Sequence, residues 1–209
     1  TPIDPISTEA QPDDEGADAP PRPQFNLESI RFALPTNKAH LSIRQAERDL
    51  AAVALQNDRI VWVAADWGLG HEGFLFSICE RLGIPPASAF ALDFNGYRNR
   101  NSFFERLQAL HRASFQEICE AVAEAGPSIL IFDDLDFPSS SAVDASFELD
   151  VEGLAQTVSD FADESMIIIR TRRPTRFATF EQVELKALDE VEVGIYAAAS
   201  EIGGERFSR

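Results

Sequence analysis

Four short, almost wholly apolar runs recur along this chain, with a helix-like stretch between successive runs and no hairpin signal joining any two. They are Ile60–Ala65 (IVWVAA), Ala89–Phe94 (AFALDF), Ser128–Phe132 (SILIF) and Met166–Thr171 (MIIIRT). A strand that is apolar on both faces is covered on both faces, and parallel neighbours need long crossover connections. The pattern predicts an α/β fold with a parallel sheet flanked by helices on both faces. Gln182–Leu185 supplies a short fifth strand. Between the runs, Ser42–Asn57 reads as a helix with Ile43, Ala46, Leu50, Val53 and Ala54 on one stripe and Ser42 as its cap. Glu72–Leu82 is a second helix, stopped by Gly83-Ile84-Pro85-Pro86. Ser102–Ala125 is helical in one or two pieces and closed by Gly126-Pro127, and Val151–Ala162 follows. Asp189 caps a last helix that reaches Ser200.

Residues 1–24 read differently. They hold six of the twelve prolines and six acids (Asp4, Glu9, Asp13, Asp14, Glu15, Asp18) against one base, Arg22. Such a stretch buries too little apolar surface to offset its ordering entropy, so a disordered arm is expected there. Residues 25–200 then form one domain and 201–209 a tail. With 44% apolar and 25% charged residues, a sizeable core is available. No run of 18 apolar residues exists and no basic-then-apolar leader precedes the domain, so the sequence predicts neither a membrane span nor a signal peptide. Thr1 in place of Met points to a processed product or a piece of something longer. The net charge of −17 repels nucleic acid and anionic membranes, which removes both as expected partners. Cys79 and Cys119 make neither a disulfide framework nor a zinc pattern and suit a reducing, cytoplasmic setting.

Three elements carry candidate chemistry. The turn after the first run reads Ala65-Asp66-Trp67-Gly68-Leu69-Gly70-His71-Glu72. A phosphate-binding loop reads G-x-x-x-x-G-K-S/T between a strand and a helix. Here Gly70 is the second glycine, Ala65 stands for the first, His71 for the Lys and Glu72 for the Ser/Thr. Backbone N–H groups and the helix dipole favour an anion at such a turn. Second, Leu130-Ile131-Phe132-Asp133-Asp134 is an apolar strand ending in two acids. Asp133 at a strand end can hold Mg²⁺, and Asp134 can polarise a water. Third, Arg170, Arg172, Arg173 and Arg176 leave the fourth run together, at the sheet edge where α/β proteins bind ligands. His40 in a connector and His111 within a helix read as structural or surface residues.

Taken in order, these elements resemble a STAND-class P-loop NTPase, the AAA+-related branch that holds NB-ARC and NACHT switch proteins. Arg44-Gln45-Ala46-Glu47 through Leu50 is similar to the family's R-x-x-E-x-x-x-L helix, ILIFDDLD to its Walker B strand, and IIIRTRRP to its T-S/T-R segment. The resemblance implies nucleotide contacts at Gly68, Gly70, His71 and Glu72, a nucleotide-sensing role for Arg172, and Mg²⁺ at Asp133. VELKALDEVEVGIYAAAS resembles the start of the family's helical lid. Loss of the Lys and the Ser/Thr argues for a degenerate loop and a regulatory or scaffolding module, part of a larger signalling or defence protein, that needs no cofactor. Its partners would be other domains or subunits of that assembly, or further copies of itself. The alternative is an active Mg-ATP/ADP switch using Asp133, Asp134 and Arg172.

Overall fold

The structure, a computed structural model, describes residues 25–136 and 145–201. The expected arm and the tail from residue 202 lie outside the described residues. Five strands, β1 (Ile60–Ala64), β2 (Ala89–Asp93), β3 (Ser128–Leu135), β4 (Ser165–Thr171) and β5 (Gln182–Glu184), form one sheet. All pairs are parallel, in the order β2-β3-β4-β1-β5. The helices are α1 (Gln45–Asp58), α2 (His71–Leu82), α3 (Arg100–His111), α4 (Phe115–Glu124), α5 (Ala145–Phe161) and α6 (Glu190–Glu201).

Alternation along the strands assigns the two layers. Ile60, Trp62, Leu130, Phe132, Ile167 and Ile169 pack with α3, α4 and α5 on one face. Val61, Val63, Ile129, Ile131 and Ile168 pack with α1 and α2 on the other. The α/β sheet with helices on both faces, read from the apolar runs, is the observed architecture. On the α5 face, buried Glu152 accepts from Trp62 Nε1 at 2.8 Å and from the Thr179 hydroxyl at 2.6 Å. A buried carboxylate needs such donors. Both cysteines are buried and unpaired, and burial pushes each thiol up to about 12. No described helix is long and apolar enough to cross a membrane.

Three readings are corrected. Ser42 does not cap α1: it ends a 3-10 turn (Lys38–Ser42), and the N-cap is Arg44 in a left-handed conformation. The stripe of α1 is turned as well. Ala51, Ala54 and Leu55 face inward, because close packing on α2 and β1 admits small residues, while Leu50 and Val53 are about half exposed. β3 does not stop at Phe132 but runs through both aspartates to Leu135. In the sheet, β2 lies at one edge and β4 stands between β1 and β3. The glycine turn and the two acids are therefore bridged by β4, not adjacent.

Candidate functional site

The glycine turn is fixed at both ends. Buried Ala65 donates its N–H to Thr171 O at 2.8 Å, which ties the loop to the end of β4. Asp66 then folds the chain back: its Oδ1 accepts from Trp67 N–H at 2.8 Å and its carbonyl from Leu69 N–H at 3.3 Å. Gly68 and Gly70 take φ of 78° and 71°, a region costly for side-chain-bearing residues. Gly70 is the N-cap of α2 and has no side chain to offer, so no cap bond closes the first turn. His71 opens α2, with Nε2 3.7 Å from Glu72 Oε1. Burial first, then the charge of Arg170, holds the His71 imidazole below its ordinary pKa, against the pull of Glu72, Asp133 and Asp134. A neutral imidazole thus stands at the Lys position, followed by the exposed Glu72 carboxylate.

The two acids are aimed by an irregularity in β3. Its pairing with β4 shifts register between Phe132 and Leu135, and Asp134 adopts φ of 56°. Asp tolerates that region better than most residues, and a bulge re-aims the side chain. Both carboxylates meet arginines, Arg170 in β4 and Arg172 just past its end. Buried Arg170 bonds Asp133 through Nε and lies 3.8 Å from Asp134. Arg172 grips Asp134 Oδ1 from Nε at 3.0 Å and from Nη2 at 2.9 Å. Asn95 Nδ2 adds a bond to Asp134 Oδ2 at 2.7 Å. On its other side, the Arg172 guanidinium lies 4.5 Å from the centroid of the Trp67 ring.

The structure therefore brings Gly68, Gly70, His71, Glu72, Asp133, Asp134 and Arg172 to one end of the sheet. Asp133 pairs with Arg170, and Arg172 pairs with Asp134 and lies against Trp67. Arg170 lies in β4 and Arg172 just past its end at Thr171, and the two reach successive acids. Among the described residues, no three His, Cys, Asp or Glu side chains are grouped to hold a metal.

Three further residues complete the site. Arg44 is buried and donates to Leu69 O at 2.5 Å and Lys186 O at 2.7 Å, while its N–H meets Glu192 Oε1 at 3.1 Å. Burial lowers its pKa, with Glu192 and Glu47 opposing. His40 packs 5.2 Å from the Tyr196 ring and lies so close over Gly73 that a Cβ there would strike the imidazole. These groups and the two turn glycines line a cavity of about 350 Å³. Arg44 lies in the R-x-x-E run, but its positive φ of 52°, which places it against the turn, has no sequence signal. His111 lies away from the site, edge-on to Phe25 at 6.0 Å.

No family model matches the chain, and no curated protein matches it. Among solved structures it is similar to a Walker-type ATPase of Pyrococcus abyssi, at 13% identity and a TM-score of 0.46, over 82% of this chain and 61% of that one. It is also similar to Cdc6p from Pyrobaculum aerophilum, at 12% identity and a TM-score of 0.48, over 84% and 52%. PCH-2 of C. elegans matches at 12% identity and a TM-score of 0.39, over 79% and 46%. The chain spans from under half to about three-fifths of the length of these proteins.

Proposed function

We propose that this domain is a regulatory or scaffolding module with a P-loop-like core, whose cleft is held together by its own ion pairs and not by Mg-nucleotide. One observation carries the reading: both acids available for Mg²⁺ are already committed to arginines, Arg170 in β4 and Arg172 just past its end. A cation at Asp133 would have to displace the buried Arg170 guanidinium and leave it only the longer 3.8 Å contact with Asp134, which is unfavourable for a buried charge. The loop argues the same way. His71 is neutral near pH 7, so the charge-assisted contact of a Lys, worth roughly 1.5–3 kcal/mol, is missing. A phosphate about 4 Å from Glu72 would add a repulsion on the order of 4 kcal/mol at an effective dielectric of 20. The residues present therefore suit Mg-nucleotide poorly. Placement within a larger signalling or defence protein of the STAND type is supported by the order of the three sequence elements.

A second reading, the Mg-ATP switch using Asp133, Asp134 and Arg172, is favoured by one feature. The first turn of α2 is uncapped and the cavity of about 350 Å³ lies beside it. Thermal unfolding with Mg-ADP and Mg-ATP up to about 1 mM separates the two. Ligand at 100 Kd stabilises by about 2.7 kcal/mol, a shift of several degrees. We expect the Tm to stay where it is; a saturable rise establishes the switch instead.

A further inference from the structure

Ten large hydrophobic side chains are exposed among the described residues, and five of them lie on α1 and α6. Leu50 and Val53 are on α1; Val191, Val193 and Ile195 are on α6. α6 packs on the 3-10 turn Lys38–Ser42, and Arg44, the N-cap of α1, donates its N–H to Glu192. On α6, the half-buried face is Glu192, Tyr196 and Ala199, whereas Val191, Gly194, Ile195 and Ala198 are all exposed. Those four follow i, i+3, i+4, i+7 spacing, the stripe that a helix normally buries. Val191 is 68% and Ile195 43% exposed.

Gly194 is a second, independent observation. It sits in mid-helix, where glycine weakens the helix relative to alanine. A Cβ built on it meets nothing within 4 Å, so no contact within the described structure calls for glycine there. A bare Cα on an exposed apolar stripe lets another backbone approach closely. The charge around the stripe identifies what approaches. α6 holds Glu190 and Glu192 after the Asp189 cap and contains no Lys or Arg. A second copy would bring the same acids against the same face, since a two-fold contact uses one patch twice. We infer that α6 is the docking face for an amphipathic helix of another protein or domain, one with an apolar stripe flanked by Lys and Arg. This inference is independent of whether the cleft binds nucleotide.

The test is a fluorescence-anisotropy titration with a labelled amphipathic helical peptide built only of Leu and Lys. Because a chain of net charge −17 attracts any cationic peptide, the informative variants keep that charge. V191S/I195S is expected to weaken binding about tenfold by removing apolar contact. G194A is expected to raise the Tm of the free protein by about 1–4 °C and yet weaken peptide binding several-fold. If V191S/I195S loses structure by circular dichroism, the single exchange Ile195→Ser is read in its place, with the same expectation at lower magnitude. Equal binding by wild type and variants reduces the attraction to general charge and overturns the proposal. So does a concentration-dependent dimer in sedimentation that V191S/I195S abolishes, because the occupant is then a second copy.

Discussion

Arg172 holds Asp134 with two nitrogens, Nε at 3.0 Å and Nη2 at 2.9 Å, while its opposite face lies 4.5 Å from the Trp67 ring centroid. The arginine is thus shared between the acid at the end of β3 and the tip of the glycine turn. Both ionic side chains are mostly buried, at 26% and 18% exposure, so the pair is screened less than a surface pair. Arg172→Ala is expected to cost about 1–3 kcal/mol in urea unfolding. Arg172→Lys recovers only part, because an ammonium offers neither the planar fork nor the ring stack. An unchanged urea midpoint for Arg172→Ala would make this arginine an ordinary surface residue.

Arg170 and Asp133 give a sharper test because Arg170 is buried at the centre of the sheet edge. Arg170→Met strands the Asp133 charge, and a cost of about 3–5 kcal/mol follows. Replacing both, as Arg170→Met with Asp133→Leu, removes the stranded charge together with its partner and recovers most of that loss. The coupling read from the double-mutant cycle is expected to exceed about 1 kcal/mol. Additive effects of the two exchanges would show that the pair is not an energetic unit.

The strands were legible because apolar runs buried on both faces leave a continuous signal, as in Ile60–Ala64 and Ile129–Phe132. The site was legible as a set of residues but not as a set of pairs. Nothing in DDLD announces the register shift that turns Asp134 toward Arg172, and nothing in RTRRP says which arginine takes which acid. Those assignments depend on β4 lying between β1 and β3, a tertiary fact. The stripe on α1 misled for a related reason. Helical periodicity finds an apolar face, but the inward face of α1 is mostly alanine (Ala51, Ala52 and Ala54 beside Leu55), which carries little hydrophobic signal. Arg44 was visible within its motif, yet its contacts with Leu69 O and Lys186 O span 25 and 142 residues.

Two histidines set the response to acid. Burial lowers the pKa of both His40 and His71, helped by Arg44 and Arg170 respectively. The unfolded chain takes up these protons near the ordinary value of 6.5, and the folded protein only at lower pH. Their contribution to stability is fully present above pH 6.5 and is lost as pH falls below it. Unfolding midpoints are expected to drop between about pH 7 and pH 5, with a shallower slope in His71→Asn. Glu28 and Asp49, whose carboxyls are lowered by bonds to Arg31 and Arg81, act in a separate window below their ordinary values of 4.5 and 3.8. A His71→Asn variant with the wild-type slope would assign the acid response elsewhere.

Restoring the loop tests whether the ion pairs, and not only the altered loop residues, bar Mg-nucleotide. His71→Lys with Glu72→Thr supplies the missing charge contact, roughly 1.5–3 kcal/mol, and removes a repulsion on the order of 4 kcal/mol. Together these amount to about four or five powers of ten in affinity. The exchange leaves Asp133 and Asp134 bound to Arg170 and Arg172, so the Mg²⁺ ligands stay occupied. The double variant is therefore expected to gain a saturable thermal shift with ADP that is nearly the same with Mg²⁺ or with chelator. A folded variant that shows no shift would mean that the amides after Gly70 do not face a phosphate. A shift that appears only with Mg²⁺ would mean that Asp133 releases Arg170 readily, and the closed ion-pair cleft would then be a resting state of a working nucleotide site.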